Sequence, residues 1–358
     1  MELQTSHRIV CGDSRSMDAV EDSSIDLVVT SPPYPMIAMW DELFSGMNPE
    51  ITDMLQTDGI SAFELMHEEL DKTWSELMRV MKPGSIACIN IGDATRKIDG
   101  TFSIYPNHSR ITMKMIELGF EVLPELIWHK QVNTPNKFMG SGMLPGGAYV
   151  TLEHEYILLF RKPGKRDYDK EMRSKSAYFW EERNVWFSDV WDFKGVKQKM
   201  TSESRERSAA FPCELPKRLI LMYSLYGDTV LDPFLGTGTT TNAAIVFGRN
   251  SIGYEIDQGL VDRCKDNAIK VASQYGMSNA HRLQHHKAFI TDRIRSGKDV
   301  KHINGAYASS VITAQECNIE LLFVDDVEVE GDSIIVRYAS STEQNDRIIK
   351  ETNQTTLF

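Results

Sequence analysis

Short apolar runs alternate along this chain with longer stretches in which apolar residues return every third or fourth position. The first pattern marks buried strands and the second marks helices with one face turned to a core. Arg8-Ile9-Val10-Cys11, closed by Gly12-Asp13, and Ile25-Asp26-Leu27-Val28-Val29 read as the first two strands. Residues 61–78 read as a helix, with Phe63, Met66, Leu70, Trp74, Leu77 and Met78 on one face and Ser61 and Glu64 at capping-box spacing. Lys82-Pro83-Gly84 stops it, and 85–91 is the next strand. A helix over 109–118 ends at Gly119. Residues 120–128 and 154–160 are two more strands, joined without a helix by a Gly/Pro-rich loop over 133–147, so they are expected to pair antiparallel at one edge. Beyond residue 210 the pattern predicts helix 215–226, strand 229–233, helix 240–247, strand 251–256 and helix 258–275. Residues 318–329 and 333–338 can pair around Glu330-Gly331-Asp332, and the polar tail from Ser340 is expected to be disordered. Strands separated by helices imply an α/β chain, its sheet mostly parallel and covered on both faces, with an antiparallel hairpin at an edge.

Between residues 163 and 210 the periodicity fails. That stretch is rich in Lys and Arg and carries Trp180, Trp186 and Trp191, which are expected in a core more than as stacking platforms. Charge makes the stretch more interesting. The whole chain of 358 residues carries a net −12, yet from Trp128 to Arg218 there are 17 Lys and Arg against 12 Asp and Glu. A basic middle on an acidic body suits contact with phosphate along one face; a merely solvated charged loop is the competing reading. The five cysteines (Cys11, Cys88, Cys213, Cys264, Cys317) are odd in number and scattered, which argues against a disulfide framework and for a reducing cytoplasm. No apolar run approaches membrane-spanning length, and no membrane partner is expected. His129, His154, His285 and His286 stand at no zinc-ligand spacing with a cysteine pair, so no metal is expected.

Two motifs carry chemistry. Thr30-Ser31-Pro32-Pro33-Tyr34 follows the second strand, and two prolines there make a stiff pocket for a flat ring bearing an amino group. Such an amine is a weak nucleophile because its lone pair is delocalised into the ring. Acceptors that hold its N–H bonds, here Ser31 Oγ and the Pro32 carbonyl, let the nitrogen become tetrahedral and aim its lone pair. Tyr34 can stack on the ring. Val230-Leu231-Asp232-Pro233-Phe234-Leu235-Gly236-Thr237-Gly238-Thr239-Thr240 is a strand, a glycine turn and a helix start, the form of a nucleoside-cofactor site. Seventeen residues past Gly238, Glu255 ends the next strand, where a carboxylate can bind both ribose hydroxyls. A phosphate loop would need a Lys after Gly238, and a nicotinamide site would want a third glycine near Thr241; neither is present. A structural turn without ligand remains an alternative for each motif.

Together, and in this order, the two motifs resemble the amino-methylating DNA methyltransferases that use S-adenosylmethionine, in the circularly permuted class with the catalytic motif ahead of the cofactor motif. The Ser-Pro-Pro-Tyr form is typical of the cytosine-N4 branch found in restriction–modification systems. The resemblance covers about residues 7–275. It implies a Rossmann-like sheet whose catalytic half spans 1–162, a target-recognition region at 163–210, a cofactor half at 211–277 and a C-terminal extension at 278–358. Ser31, Pro32, Pro33 and Tyr34 match the catalytic motif; Phe234, Gly236, Gly238 and Thr239 match the cofactor loop, with Asp232 at the end of its strand; Glu255 matches the ribose carboxylate. Pro212 lies in a segment, Phe211 to Pro216, that lines the methionine end, and Asp13 matches a polar residue near the adenine. Lys137, Lys194, Lys197 and Lys199 are the expected phosphate contacts. Pro212-Cys213 superficially resembles the nucleophile of cytosine-C5 enzymes, but it precedes the cofactor loop, and Cys213 is read as a buried small residue. The implied partner is double-stranded DNA, from which the base must be flipped. A cognate restriction endonuclease would share the system without a stable complex, and the chain would act as monomer or homodimer. Adenine-N6 methylation, methylation of RNA or protein, and a non-enzymatic DNA-binding module stay open as alternatives.

Overall fold

Six consecutive residues, Ile25–Thr30, are buried on both faces, as a strand in the middle of a covered parallel sheet must be. In the computed structural model, which describes residues 3–130, 139–195, 211–274 and 276–340, this strand lies near the centre of a ten-stranded sheet. Its strands in chain order are β1 (Leu3–Cys11), β2 (Ile25–Thr30), β3 (Met81–Ile91), β4 (Glu121–Lys130), β5 (His154–Arg161), β6 (Val190–Phe193), β7 (Thr229–Asp232), β8 (Asn250–Glu255), β9 (Leu322–Glu330) and β10 (Ser333–Ser340). Their spatial order is β6-β4-β5-β3-β2-β7-β8-β1-β10-β9. The pairs β3/β2, β2/β7, β7/β8 and β8/β1 are parallel, while β5 runs against both of its neighbours and β10 against β1.

Among the helices are α1 (Asp41–Met47), α2 (Glu50–Thr57), α3 (Gly59–Val80), α4 (Asn107–Glu117), α5 (Lys170–Lys175), α6 (Trp180–Trp186), α7 (Glu214–Tyr223), α8 (Thr239–Val246), α9 (Gln258–Gln274) and α10 (Gly276–Arg295). Helix α3 buries Phe63, Met66, Leu70, Trp74 and Leu77 against one face of the sheet. It starts two residues before the predicted capping box: Asp58 accepts from the N–H groups of Ile60 and Ser61, so the cap is an Asp, and Glu64 instead holds Arg110. Helix α7 covers the other face with Leu215, Leu219 and Ile220. That face leaves Cys213 exposed at the helix start, which corrects its reading as buried. Among the described residues, no helix is long and apolar enough to cross a membrane.

One edge differs from expectation, and the other extends it. β4 and β5 pair antiparallel as predicted, but β6 adds beyond β4, so the pair is not at the edge. β6 comes from the aperiodic basic stretch. Trp186 and Trp191 of that stretch are 4% and 1% exposed in the core under α7, Phe179 is fully buried, and Trp180 stacks on Phe289 of α10. Arg282 of α10 grips Glu182 of α6 at 2.6 Å, both inside the protein. Residues 163–195 are therefore bolted to the C-terminal part. At the other edge the predicted C-terminal hairpin forms as β9–β10 and joins the main sheet through β1. The predicted disordered tail lies outside the described residues.

Candidate active site

β2 and β7 are neighbours although Thr30 and Asp232 stand 202 positions apart. From β2 the chain passes on to β3 at one side, and from β7 to β8 at the other. Where such a sheet diverges, the carboxyl ends of the two strands face a crevice, the usual ligand site of open α/β sheets. A cavity of about 470 Å³ opens there. On its wall stand Ser31, Pro32 and Pro33 from the end of β2, Asp232, Phe234, Gly236 and Thr239 from β7 and its turn, and Asp13 and Glu255 from the ends of β1 and β8. Two motifs far apart in sequence thus share one space.

The cofactor side is built on strained glycine geometry. Gly236 and Gly238 have φ of 56° and 84°, a left-handed conformation that a side chain disfavours. A Cβ on Gly238 would also come within 3.2 Å of Cys264 Sγ, whose thiol donates to the Gly236 carbonyl at 3.0 Å. Glu255 accepts from the Gly236 N–H at 3.0 Å and from the Asp257 N–H at 3.0 Å, which aims its carboxylate; burial raises its pKa above the ordinary value. Asp13 is held by Arg15, which also pairs with Glu69. Burial would lift the Asp13 carboxyl, but the bonds from Arg15 outweigh it and hold the group below its usual range.

Asp232 does something its position in the motif did not suggest. Only 2% exposed, it accepts from Thr30 Oγ1 at 2.6 Å, Thr240 Oγ1 at 2.7 Å and the Phe234 N–H at 3.1 Å. Its carboxylate is thus a strut between the catalytic strand and the cofactor turn, and burial pushes its pKa up to about 6.

On the catalytic side, Tyr34 does not stand on the cavity wall. Its ring is half-buried against the core, and its hydroxyl donates to Glu155 Oε2 at 3.0 Å. The same oxygen of Tyr34 accepts from Ser31 Oγ at 3.1 Å and from Asn90 Nδ2 at 2.8 Å. Asn90 also donates to Glu155 Oε2 at 2.7 Å, and Lys130 Nζ bonds the other oxygen, Oε1. Burial, followed by the nearby carboxylate, raises the Tyr34 pKa well above 10, so the phenol keeps its proton. Sequence reasoning missed Asn90, Lys130 and Glu155. The available signal was that all three stand at the carboxyl end of β3, the end of β4 and the start of β5, beside the catalytic turn.

Other expectations fare differently. Phe211, and not Pro212, reaches the cavity wall. Lys194 is exposed just after β6, whereas Lys137, Lys197 and Lys199 lie outside the described residues. His286, set aside on sequence spacing, meets Glu181 and Glu316 in a buried group whose ligand-type atoms lie within 4.8 Å of one another. Its Nδ1 is 2.9 Å from Glu181 and its Nε2 is 3.0 Å from the Ser310 carbonyl, while Glu316 receives the Trp180 and Thr313 N–H groups. These bonds clamp α6 to α10, and none of these residues lines the cavity.

The chain matches the DNA methylase family that covers N6 and N4 enzymes over residues 25–266. It is 50% identical over 332 residues to the type II methyltransferase M.MthZI of Methanothermobacter thermautotrophicus, covering 90% of this chain and 91% of that one. To the type II methyltransferase M.MjaI of Methanocaldococcus jannaschii it is 52% identical over 274 residues, 73% of this chain and 90% of that one. Among solved structures it resembles TTHA0409 of Thermus thermophilus, determined in complex with S-adenosyl-L-methionine, with a TM-score of 0.59, 33% identity and coverage of 74% and 95%. With both motifs on one cavity wall at the point where the sheet diverges, this chain belongs to the N6/N4 DNA methylase family.

Proposed function

We propose that this chain methylates the N4 amino group of a cytosine flipped out of double-stranded DNA, taking the methyl group from S-adenosyl-L-methionine, as the modification half of a restriction–modification pair. The observation that carries the reading is the shared cavity: Ser31 and Pro32 face the same space as Gly236 and Glu255. The residues fit the cofactor. A space of about 470 Å³ is of the size that holds a nucleoside-sized ligand, and it is walled by a glycine turn and by a carboxylate aimed by two backbone N–H groups. When bound there, S-adenosyl-L-methionine supplies an electrophilic methyl group on a sulfonium.

The chain's own residues then do three things. Glu255 binds hydroxyls, and the Gly236–Gly238 turn lets the backbone approach. The Pro32 carbonyl and Ser31 Oγ accept the two amine N–H bonds, with the proline pair setting their direction. Ser31 favours cytosine because the position holds a hydroxyl where the adenine branch usually has a carboxylate or carboxamide. Lys194, with Lys137, Lys197 and Lys199, would neutralise DNA phosphates. The free cysteines suit a reducing cytoplasm.

The test is product analysis. Plasmid DNA grown without modification is incubated with the protein and labelled S-adenosyl-L-methionine, digested to nucleosides and separated by mass. N4-methylcytosine is expected; N6-methyladenine would move the chain to the adenine branch.

A further inference from the structure

Five polar groups behind the catalytic turn form one hydrogen-bonded chain, and its direction is set from one end. Lys130 occupies Glu155 Oε1, and Asn90 Nδ2 donates to Oε2 at 2.7 Å. Both carboxylate oxygens are therefore acceptors, and the Tyr34 hydroxyl beside Oε2, at 3.0 Å, must donate. The Asn90 amide cannot be turned over, since its oxygen would then face that carboxylate. Having given its proton to Glu155, Tyr34 can only accept from Ser31, whose hydroxyl is 3.1 Å away. The Ser31 proton thus points away from the cavity that Ser31 lines, and although Asn90 Nδ2 also donates to its oxygen at a long 3.4 Å, that oxygen presents only acceptor capacity to the cavity. The high pKa of the buried Tyr34 phenol keeps the sequence of donors intact across the working pH range. Gly92 makes room for the arrangement: a Cβ there would stand 3.1 Å from the Tyr34 ring and 3.2 Å from Glu155 Cγ.

We propose that Glu155, acting through Tyr34, is a positioning and specificity-determining residue that fixes Ser31 as a hydrogen-bond acceptor, so that the pocket takes a base edge bearing N–H and rejects one bearing C=O. The proposal rests on the amine-methylation reading above. It gives the chain a way to tell an aminopyrimidine from its keto counterpart, which differ at that one atom. A Ser31 proton pointing inward would suit the keto base and oppose the amine.

Glu155→Gln tests this with almost no change of shape. Lys130 will hold the carboxamide oxygen, leaving the NH₂ group toward Tyr34. Tyr34 and Asn90 then face an NH₂ group in place of an acceptor, and the bond that held the Ser31 proton away from the cavity is no longer enforced. We expect single-turnover methyl transfer to unmodified plasmid DNA to fall about a hundredfold, the usual cost of one misdirected donor at a reacting centre, with calorimetric S-adenosyl-L-methionine affinity within about twofold of wild type. The decisive variant is Glu155→Gln combined with Lys130→Met. Without the ammonium, the carboxamide can turn its oxygen back to Tyr34, and the rate should recover at least about tenfold over Glu155→Gln alone. Tyr34→Phe, which cuts the chain one bond nearer to Ser31, should lower the rate as Glu155→Gln does, and it carries the test if the Gln variant does not fold. Wild-type transfer in Glu155→Gln, or a double variant no faster than the single, would overturn the proposal, because a purely structural Glu155 predicts further loss on losing Lys130. Nucleoside analysis of the wild-type product separates the two levels. A ring-carbon methyl would remove the amine reading itself, whereas an amino methyl with an unaffected Gln variant would remove only the relay.

Discussion

Replacing Asp232 tests whether the two halves of the site are held together by one carboxylate. In the folded protein it is buried and its pKa rises to about 6, against 3.8 for the free side chain. A carboxyl raised on folding makes its contribution to stability below its unfolded pKa and loses it as pH rises through the folded value. The window here is about pH 4 to 6, and a rise of that size corresponds to about 3 kcal/mol. Asp232→Asn has no such dependence. It keeps one oxygen to accept from Thr30 and the Phe234 N–H. Thr240, whose hydroxyl lies 3.2 Å from the Val29 carbonyl, can turn its proton there and accept from the new amide. Measured by urea unfolding, the Asn variant should therefore gain on wild type by about 2–3 kcal/mol between pH 4 and pH 8, other groups cancelling in the difference. Asp232→Ala should behave otherwise: it strands the Thr30 hydroxyl and the Phe234 N–H, at about 1–3 kcal/mol each, and should destabilise at both pH values. A wild-type-to-Asn gap that is the same at pH 4 and pH 8 would refute the buried, ionisable strut.

Further consequences follow from the same geometry. Gly238→Val places a Cβ at φ 84° against Cys264, and Glu255→Ala removes the aimed carboxylate. Calorimetry should show no S-adenosyl-L-methionine binding by the first and a loss of about 1–3 kcal/mol in the second. Gly92→Ala should displace Tyr34 and Glu155 by a few tenths of an ångström, lowering the methyl-transfer rate while cofactor affinity stays at the wild-type value. Neutralising Lys194, Lys197 and Lys199 together should weaken DNA binding and reduce the slope of log affinity against log salt by roughly 0.9 per lost phosphate contact; a titration superimposable on wild type would mean the charges are only solvated.

What could be read in the sequence was what local pattern encodes. The 25–29 run, apolar but for Asp26, the stop at Pro83-Gly84 and the glycine turn after Asp232 each declare an element without help from the rest of the chain. The same holds for the two motifs, which put Ser31, Pro32 and Pro33 on one cavity with Phe234, Gly236 and Thr239, while Tyr34 and Gly238 stay off its wall. Contacts made only by tertiary pairing stayed hidden. β6 is only four residues long and exposes Val190 and Asp192 on one side, too short a pattern to mark it as a strand until β4 offers a ladder. Glu155 sits between His154 and an apolar run and looks like an ordinary strand end; its partners Asn90 and Tyr34 are 65 and 121 positions away. The choice of Asp58 over Ser61 as helix cap was a near miss of another kind, since both are competent caps three residues apart and side-chain geometry decides.

The seam between β2 and β7 is held more by side chains than by backbone. β2 and β7 register only through Leu27 with Val230 and Val28 with Leu231, whereas β7 and β8 register at four positions. Backbone pairing alone would leave the two sides of the cavity weakly aligned. Side chains fasten the seam at both ends. At one end Asp26, 3% exposed, accepts from the Thr229 N–H at 2.9 Å and is neutralised by Lys82 at 2.8 Å. At the other end Asp232 accepts from Thr30, the residue before Ser31, and from Thr240 in the first turn of α8. Each fastening joins residues more than two hundred positions apart and uses no covalent connection between the strands. The distance from Ser31 to the Gly236–Gly238 turn is therefore held by two buried carboxylates, one at each end of the short β2–β7 ladder.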